Sequence, residues 1–457
     1  MTKFLPVLIV TILFFASGCK IIKSAIPVPG RDTISMNGAQ PPGWILQGNI
    51  YEVNVRQYTP EGTFKAFQKH LDRLKKMGVQ TLWFMPIQPI SKVDRKGTLG
   101  SYYAVADYQT INPEFGTLED WKALVAAAHS KGFKVLIDWV ANHTGADHPW
   151  LTNHPRFYEK DSTGKPISAF DWSDTRSLDF TNQTMRDSMI ASMKFWIVET
   201  DIDGFRCDVA GEVPDDFWRS CVNILRRQKE LFMLAEGEKP SLHQAGFDAS
   251  YAWEMFHTMK NIAKGEQPAT SIDKVRVKHN STYPANAIYM YFTSNHDENS
   301  WNNADYGTMP GAVHAPFAIL TQTLQGSVPL IYSGQEEPVL RKVEFFEKDT
   351  MNFAKFQRAK FYTTLLNLRR NNASLAANAS FQKISVGDDN SLYAFIRTGN
   401  GRKVLVILNL SSKDQKVQVN DPNLYGNTLN IFTDKKLLLN NKPWTMEPWG
   451  YAVYEYR

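Results

Sequence analysis

Three carboxylates each close a short apolar run: Asp208 in GFRCDVA (204–210), Glu236 in LFMLAE (231–236) and Asp297 in IYMYFTSNHD (288–297). A fourth run, KVLIDWVANHT (134–144), ends in the same style with Asp138, Asn142 and His143. A charge buried without a partner is costly, so an ionisable group at the end of a β-branched, apolar run is unusual. Four such endings predict one site built from strand tips. Arg206 and Asp208 are two residues apart on a strand and face the same way. A guanidinium beside a carboxylate favours the ionised form, which suits Asp208 to be a nucleophile. Glu236 ends its strand among Leu231, Phe232, Met233 and Leu234, near the charges of Asp208 and Asp297. Those surroundings are expected to raise its pKa and keep it protonated as a general acid. Two carboxyl groups with opposed shifts point to glycoside hydrolysis, and a separation of about 5–5.5 Å would make the route covalent and retaining. A single Arg-x-Asp would read better as a buried ion pair; the whole set does not.

Strand tips that converge on one site are the layout of a (β/α)8 TIM barrel, whose active site lies at the C-terminal face. The flanking pattern agrees. Ile50–Tyr58 is strand-like, and 63–77 places Phe64, Phe67, Leu71, Leu74 and Met77 at helical spacing before Gly78. Strand 79–87 follows, and Thr117 with Asp120 reads as a box-like cap for the next helix, which ends at Gly132 before strand 134–140. The rhythm breaks at about 142–182, a stretch rich in His, Asp, Pro and Ser, which predicts a short insertion after the third strand. It resumes with helix 184–201, strand 204–209, helix 214–229, strand 231–236, strand 287–293, a helix near 312–324, strand 328–333 and helix 352–371. Residues 249–253 supply a sixth strand in order, bringing the total to eight. The catalytic barrel is thus expected over 44–372. From 375 to 457, short alternating segments such as SLYAFIRTG and RKVLVILNL predict a C-terminal antiparallel β-domain, taken as a β-sandwich.

Composition narrows the function classes. The chain has 457 residues, enough for one large domain and one or two small ones. Its hydrophobic fraction of 43% supports a sizeable core. Net charge is +5 with both signs interspersed and no long basic run, which argues against nucleic acid as a partner. No HExxH and no Cys/His ligand spacing occurs, so metal-dependent hydrolysis has no support. Of the three cysteines, Cys207 and Cys221 are expected to be buried thiols, with a disulfide as the alternative.

At the N-terminus, Lys3 and the apolar run Phe4–Phe15 lead to Ala16-Ser17-Gly18-Cys19. This is a signal-peptide pattern over 1–18. It resembles a bacterial lipobox, which implies lipidation of Cys19 and a membrane partner through that anchor. Lys20 in the following position suggests outer-membrane sorting. Residues 19–43, with Pro27, Pro29, Pro41 and Pro42, read as a tether.

From about Gly48 to the C-terminus the chain resembles the α-amylase family of glycoside hydrolases. DWVANHT, GFRCDVA, the Glu of LAEGE and FTSNHD match its four motifs in order and spacing. The resemblance implies a retaining α-glucan hydrolase of α-amylase type, acting on α-1,4 bonds of starch or maltooligosaccharides. Asp208 would be the nucleophile, Glu236 the acid/base and Asp297 the carboxylate that grips sugar hydroxyls and helps set the acid's pKa. Arg206 would orient Asp208, Asp138 would support Arg206, and His143 and His296 would hydrogen-bond the sugar. GSYYAVADYQTINPEFGT (100–117) resembles the family segment that stacks a tyrosine on that sugar, which falls on Tyr103, with Tyr102 where glycine is usual. Chemistry of this kind requires no cofactor. A structural calcium is left open: Asn142 matches a usual ligand, but Ser177 stands where an aspartate commonly precedes the leucine. Gly211 and Glu212 stand in place of a Lys-His pair on the acceptor side. The motifs do not separate hydrolysis from transfer, so an α-glucan transglycosylase or a cyclomaltodextrinase-type enzyme remains the alternative. A non-catalytic glycan-binding relative is opposed by the presence of all three carboxylates and Arg206.

Overall fold

Eight parallel strands close into a barrel in consecutive order: β1 Ile50–Val53, β2 Thr81–Phe84, β3 Lys134–Val140, β4 Gly204–Asp208, β5 Phe232–Ala235, β6 Ala249–Tyr251, β7 Ile288–Tyr291 and β8 Ser327–Tyr332. The computed structural model describes residues 40–457. The expected signal peptide, Cys19 and the tether up to residue 39 lie outside the described residues. Pro42, at the end of that tether, is buried, and Ile45 just beyond it packs in one cluster with Ile50, Trp83 and Leu136 of the barrel.

Alternation along the strands divides the side chains into two sets. Ile50, Trp83, Leu136, Leu234, Met290 and Leu330 share one cluster, while Tyr51, Leu82, Val135 and Met233 belong to another that includes the helices. Neither set is exposed, which is why the strands read as near-continuous apolar runs. Helix Leu118–Ser130 has the reciprocal cap expected of Thr117 and Asp120. One glycine is dictated by packing. A Cβ on Gly204, at the foot of β4, would lie 1.9 Å from the carbonyl oxygen of Phe232 on β5.

Several boundaries differ from the sequence reading. The strand at Ile50 stops at Val53 and turns into a short helix, Val55–Tyr58. The helix expected over 63–77 is two, Phe64–Gln68 and Leu71–Met77. The last barrel helix begins at Ala359, not 352. Two helices went unread between β6 and β7, Trp253–Ala263 and Ser271–Thr282. Within 142–182 the regular structure is a hairpin, His143–Gly145 paired with Thr175–Ser177, and two short helical turns, Trp150–Asn153 and Pro155–Phe157.

The C-terminal part is a six-stranded sheet with a two-stranded ribbon, Gln415–Val417 with Trp444–Met446. Val417 and Met446 of the ribbon share a core with Leu405 and Ile407 of the sheet. Buried Arg397 ties the sheet to the barrel by donating to the carbonyls of Thr323 and Ala376, each at 2.6 Å. Cys207 and Cys221 are both free and buried.

Candidate active site

Arg206 is the hub. It is fully buried on β4, with its guanidinium 5.1 Å from the ring centre of Trp83 and 5.4 Å from that of Tyr251. Aromatic faces attract a cation, which partly replaces its lost hydration. β3 and β4 pair so that Asp138 lies opposite Arg206. Arg206 Nη1 then meets Asp138 Oδ1 and Asp208 Oδ1, each at 3.0 Å, and Nη2 lies 3.0 Å from Glu236 Oε1. Nε donates to Tyr251 Oη at 3.0 Å. One side chain therefore gathers three of the four strand-end carboxylates named from the sequence.

Asp208 and Glu236 are held differently. Asp208 Oδ1 is bound by Arg206, while Oδ2 is buried with no hydrogen-bond partner among the described residues. Glu236 Oε2 accepts the backbone N–H of Val209 at 2.8 Å. Val209 follows Asp208 directly and has φ +34°, a left-handed conformation that a β-branched residue rarely adopts. Burial and the charge of Glu236 push the Asp208 carboxyl well above its ordinary pKa, against the pull of Arg206. The sequence reading expected Arg206 to dominate and keep Asp208 ionised. Its pKa is instead pushed up, because desolvation is strong there and three carboxylates share one guanidinium. Burial also carries Asp138 up to about 6, against Arg206.

Across the pocket, Asp297 stands in the first turn of the short helix His296–Asn302. His296 Nε2 lies 3.2 Å from Asp297 Oδ2, and Nδ1 lies 2.5 Å from Glu52 Oε1. Burial alone would depress His296, but Asp297 and Glu52 outweigh it and raise its pKa well above the ordinary value. Burial works to raise Asp297 as well, yet His296 and Arg206 hold its carboxylate below the usual range. Tyr103 joins the two halves: its hydroxyl contacts His296 Nε2 at 2.8 Å and donates to Asp138 Oδ2 at 3.1 Å, and its ring stacks on His296 at 5.5 Å. Tyr102 turns away, donating to Asn54 at 3.0 Å beneath Arg56.

His143 is buried beside Trp172, ring centres 5.3 Å apart. Its Nε2 has no partner among the described residues, and burial lowers its pKa to about 4, so the ring is neutral. Neighbouring Asn142 directs its amide toward His143 Nδ1 at 3.3 Å. Calcium takes six to eight oxygens, often with several carboxylates. Asn142 offers its amide oxygen, while its own carbonyl accepts the Leu178 backbone N–H at 3.2 Å. The acceptor-side departure has a structural counterpart: the Lys239 ammonium donates to the Gly211 carbonyl and lies 3.8 Å from Glu212.

Glu52 is the member that sequence reasoning missed. It is fully buried on β1, and burial raises its carboxyl against the charge of His296. The signal was present, a lone carboxylate within IYEV, but it falls inside the apolar run rather than at its end.

The α-amylase catalytic-domain family model matches residues 33–173 and 167–373. The chain belongs to the α-amylase family of glycoside hydrolases. It is 27% identical over 399 residues to the alpha-amylase MalA of Haloarcula japonica, covering 82% of this chain and 57% of that protein, so it spans little more than half of that relative. It is also 25% identical to a cyclomaltodextrinase of Thermoanaerobacter pseudethanolicus, over 79% of this chain and 65% of that one. Among solved structures, an alpha-amylase from Lactobacillus plantarum superposes with a TM-score of 0.82 at 28% identity, covering 91% of this chain and all of that one. The maltogenic alpha-amylase AmyB of Thermotoga neapolitana gives the same TM-score at 27% identity, over 90% and 99%.

Proposed function

We propose that this family member hydrolyses α-1,4-glucosidic bonds of starch or maltooligosaccharides with retention of configuration. The observation that carries the reading is the asymmetry between two carboxyls on one guanidinium. Asp208 keeps one oxygen unpartnered, while Glu236 has both oxygens engaged, by Arg206 and Val209. In the first step Asp208 Oδ2 attacks the anomeric carbon as Glu236 gives its proton to the leaving glycosidic oxygen. In the second step Glu236 takes a proton from water, the water oxygen replaces Asp208 on the anomeric carbon, and the carboxylate is regenerated. Asp297 and the His143 Nε2 accept or donate to sugar hydroxyls, and Tyr103 stacks against the ring. Attack needs Asp208 ionised, which Arg206 favours while burial and the neighbouring Glu236 oppose it.

The same proposal includes an exported, lipid-anchored enzyme, with Cys19 lipidated and the barrel carried on the segment before residue 40. Among the described residues no helix is long and apolar enough to cross a membrane.

The deciding experiment follows the purified chain on maltoheptaose over time by chromatography. Shorter sugars with net release of reducing ends support hydrolysis. Products longer than the substrate would replace this reading with transfer, and rapid opening of cyclomaltodextrins over starch would favour the cyclomaltodextrinase reading. No products at all would overturn it.

A further inference from the structure

We propose a second, metal-binding site on the flank of the barrel, formed by Glu238, Glu254 and His279 and suited to zinc. Glu238 lies two residues beyond Glu236, Glu254 stands in the first turn of the helix Trp253–Ala263, and His279 lies on Ser271–Thr282. One ligand atom from each comes within 4.8 Å of the other two. Zinc bonds of about 2.0–2.2 Å in a tetrahedron set ligand atoms roughly 3.4 Å apart. His279 Nε2 already lies 3.5 Å from Glu238 Oε1.

The independent sign of a ligand is His279. Its side chain is 3% exposed, yet neither ring nitrogen has a hydrogen-bond partner among the described residues. A buried imidazole normally satisfies at least one nitrogen. Here the ring plane is set by packing instead: it stacks on Tyr289 at 4.5 Å and meets the edge of Tyr283 at 5.3 Å. A nitrogen held near two carboxylates without a hydrogen bond to either is a preformed ligand.

The competing contacts leave room for an ion. Both Glu238 oxygens accept the Glu254 backbone N–H, at 3.2 and 3.0 Å, which orients the carboxylate and leaves lone pairs on it. Lys278 Nζ sits 2.7 Å from Glu254 Oε2, but its side chain is 60% exposed and free to turn into solvent. One imidazole and two carboxylates favour zinc over calcium or magnesium, which prefer all-oxygen sets. The fourth position faces the open side at Glu254 and takes water. Bound zinc would join the segment after Glu236 to both helices between β6 and β7.

Chelator-treated full-length protein, titrated with zinc by calorimetry and checked for metal content after gel filtration, tests this. One zinc per chain and a higher Tm are expected. Binding should weaken more than about tenfold in His279→Gln. Glu254→Gln, a partly exposed position that does not threaten folding, should weaken it similarly. Cobalt in place of zinc should give the intense visible absorption of a four-coordinate site in the wild type. Failure of the wild type to retain zinc overturns the site, as does full-strength binding in Glu254→Gln.

Discussion

Val209 donates its backbone N–H to Glu236 Oε2 at 2.8 Å, from a φ of +34°. A residue adjoining the proposed nucleophile thus holds the proposed acid, and it does so in a conformation its own β-branched side chain resists. Non-glycine residues in such regions cost of order 1–3 kcal/mol and persist where the surroundings over-determine them. Glycine would adopt this geometry freely, at an entropic cost of up to about 1 kcal/mol. Val209→Gly is therefore expected to raise stability by about 1 kcal/mol while retaining the contact to Glu236. Urea denaturation measures it; a clear loss of stability would mean the strain is not there.

Asp208→Asn should be both inactive and more stable. The folded state raises the Asp208 pKa above the unfolded value of about 3.9, so ionisation at neutral pH opposes folding. Removing the ionisable group removes that penalty, and Arg206 retains Asp138 and Glu236. Starch hydrolysis should fall by about four orders of magnitude or more. The stability gain should be present at pH 7 and vanish below about pH 4. Chemical denaturation of both proteins across that range is the check.

His296 has the opposite sign. Its folded pKa lies above the unfolded value of about 6.5, so its contribution is complete below that pH and is lost as pH rises through the folded pKa. Compared with His296→Gln, the wild type should hold its largest stability advantage on the acidic side of about 6.5, shrinking toward alkaline pH. A constant gap would show that His296 is neutral between Glu52 and Asp297.

Gly204→Ala should be far more damaging than a methyl group suggests. Its Cβ would lie 1.9 Å from the Phe232 carbonyl oxygen, so β4 must part from β5 at its foot. Such a separation moves Arg206 and Asp208 relative to Glu236. A loss of more than about 3 kcal/mol in stability is expected, with activity falling in the protein that remains folded. Thermal unfolding and specific activity, measured on one preparation, distinguish the two effects.

Removing Arg206 is expected to destabilise the chain by about 3–5 kcal/mol, because Asp138, Asp208 and Glu236 would be left without their buried counter-charge. Arg206→Met keeps the volume, so the loss in urea denaturation reports charge rather than a cavity. Lowering the pH should narrow the gap to wild type as the raised Asp138 and Asp208 carboxyls take up protons.

The order of elements and the site's membership were legible because both are written in one-dimensional signals. Eight parallel strands buried on both faces must be apolar along their length, so Asp138, Asp208, Glu236 and Asp297 were conspicuous where they interrupt or end such runs. Roles for Tyr103, His143 and His296 were reached only through motif resemblance, since an isolated tyrosine or histidine has no spacing of its own. Glu52 escaped because its partner His296 is 244 residues away and its position within a strand is not distinctive. Protonation was decided by the tertiary structure alone. Sequence places Arg206 two residues from Asp208, which argues for an ionised aspartate. Only the closed barrel sets Asp138 and Glu236 on the same guanidinium and removes the water, and desolvation with like-charge crowding then reverses the sign. The pairing of Glu238 and Glu254 with His279 is of the same kind, because it depends on two helices whose packing no local pattern announced.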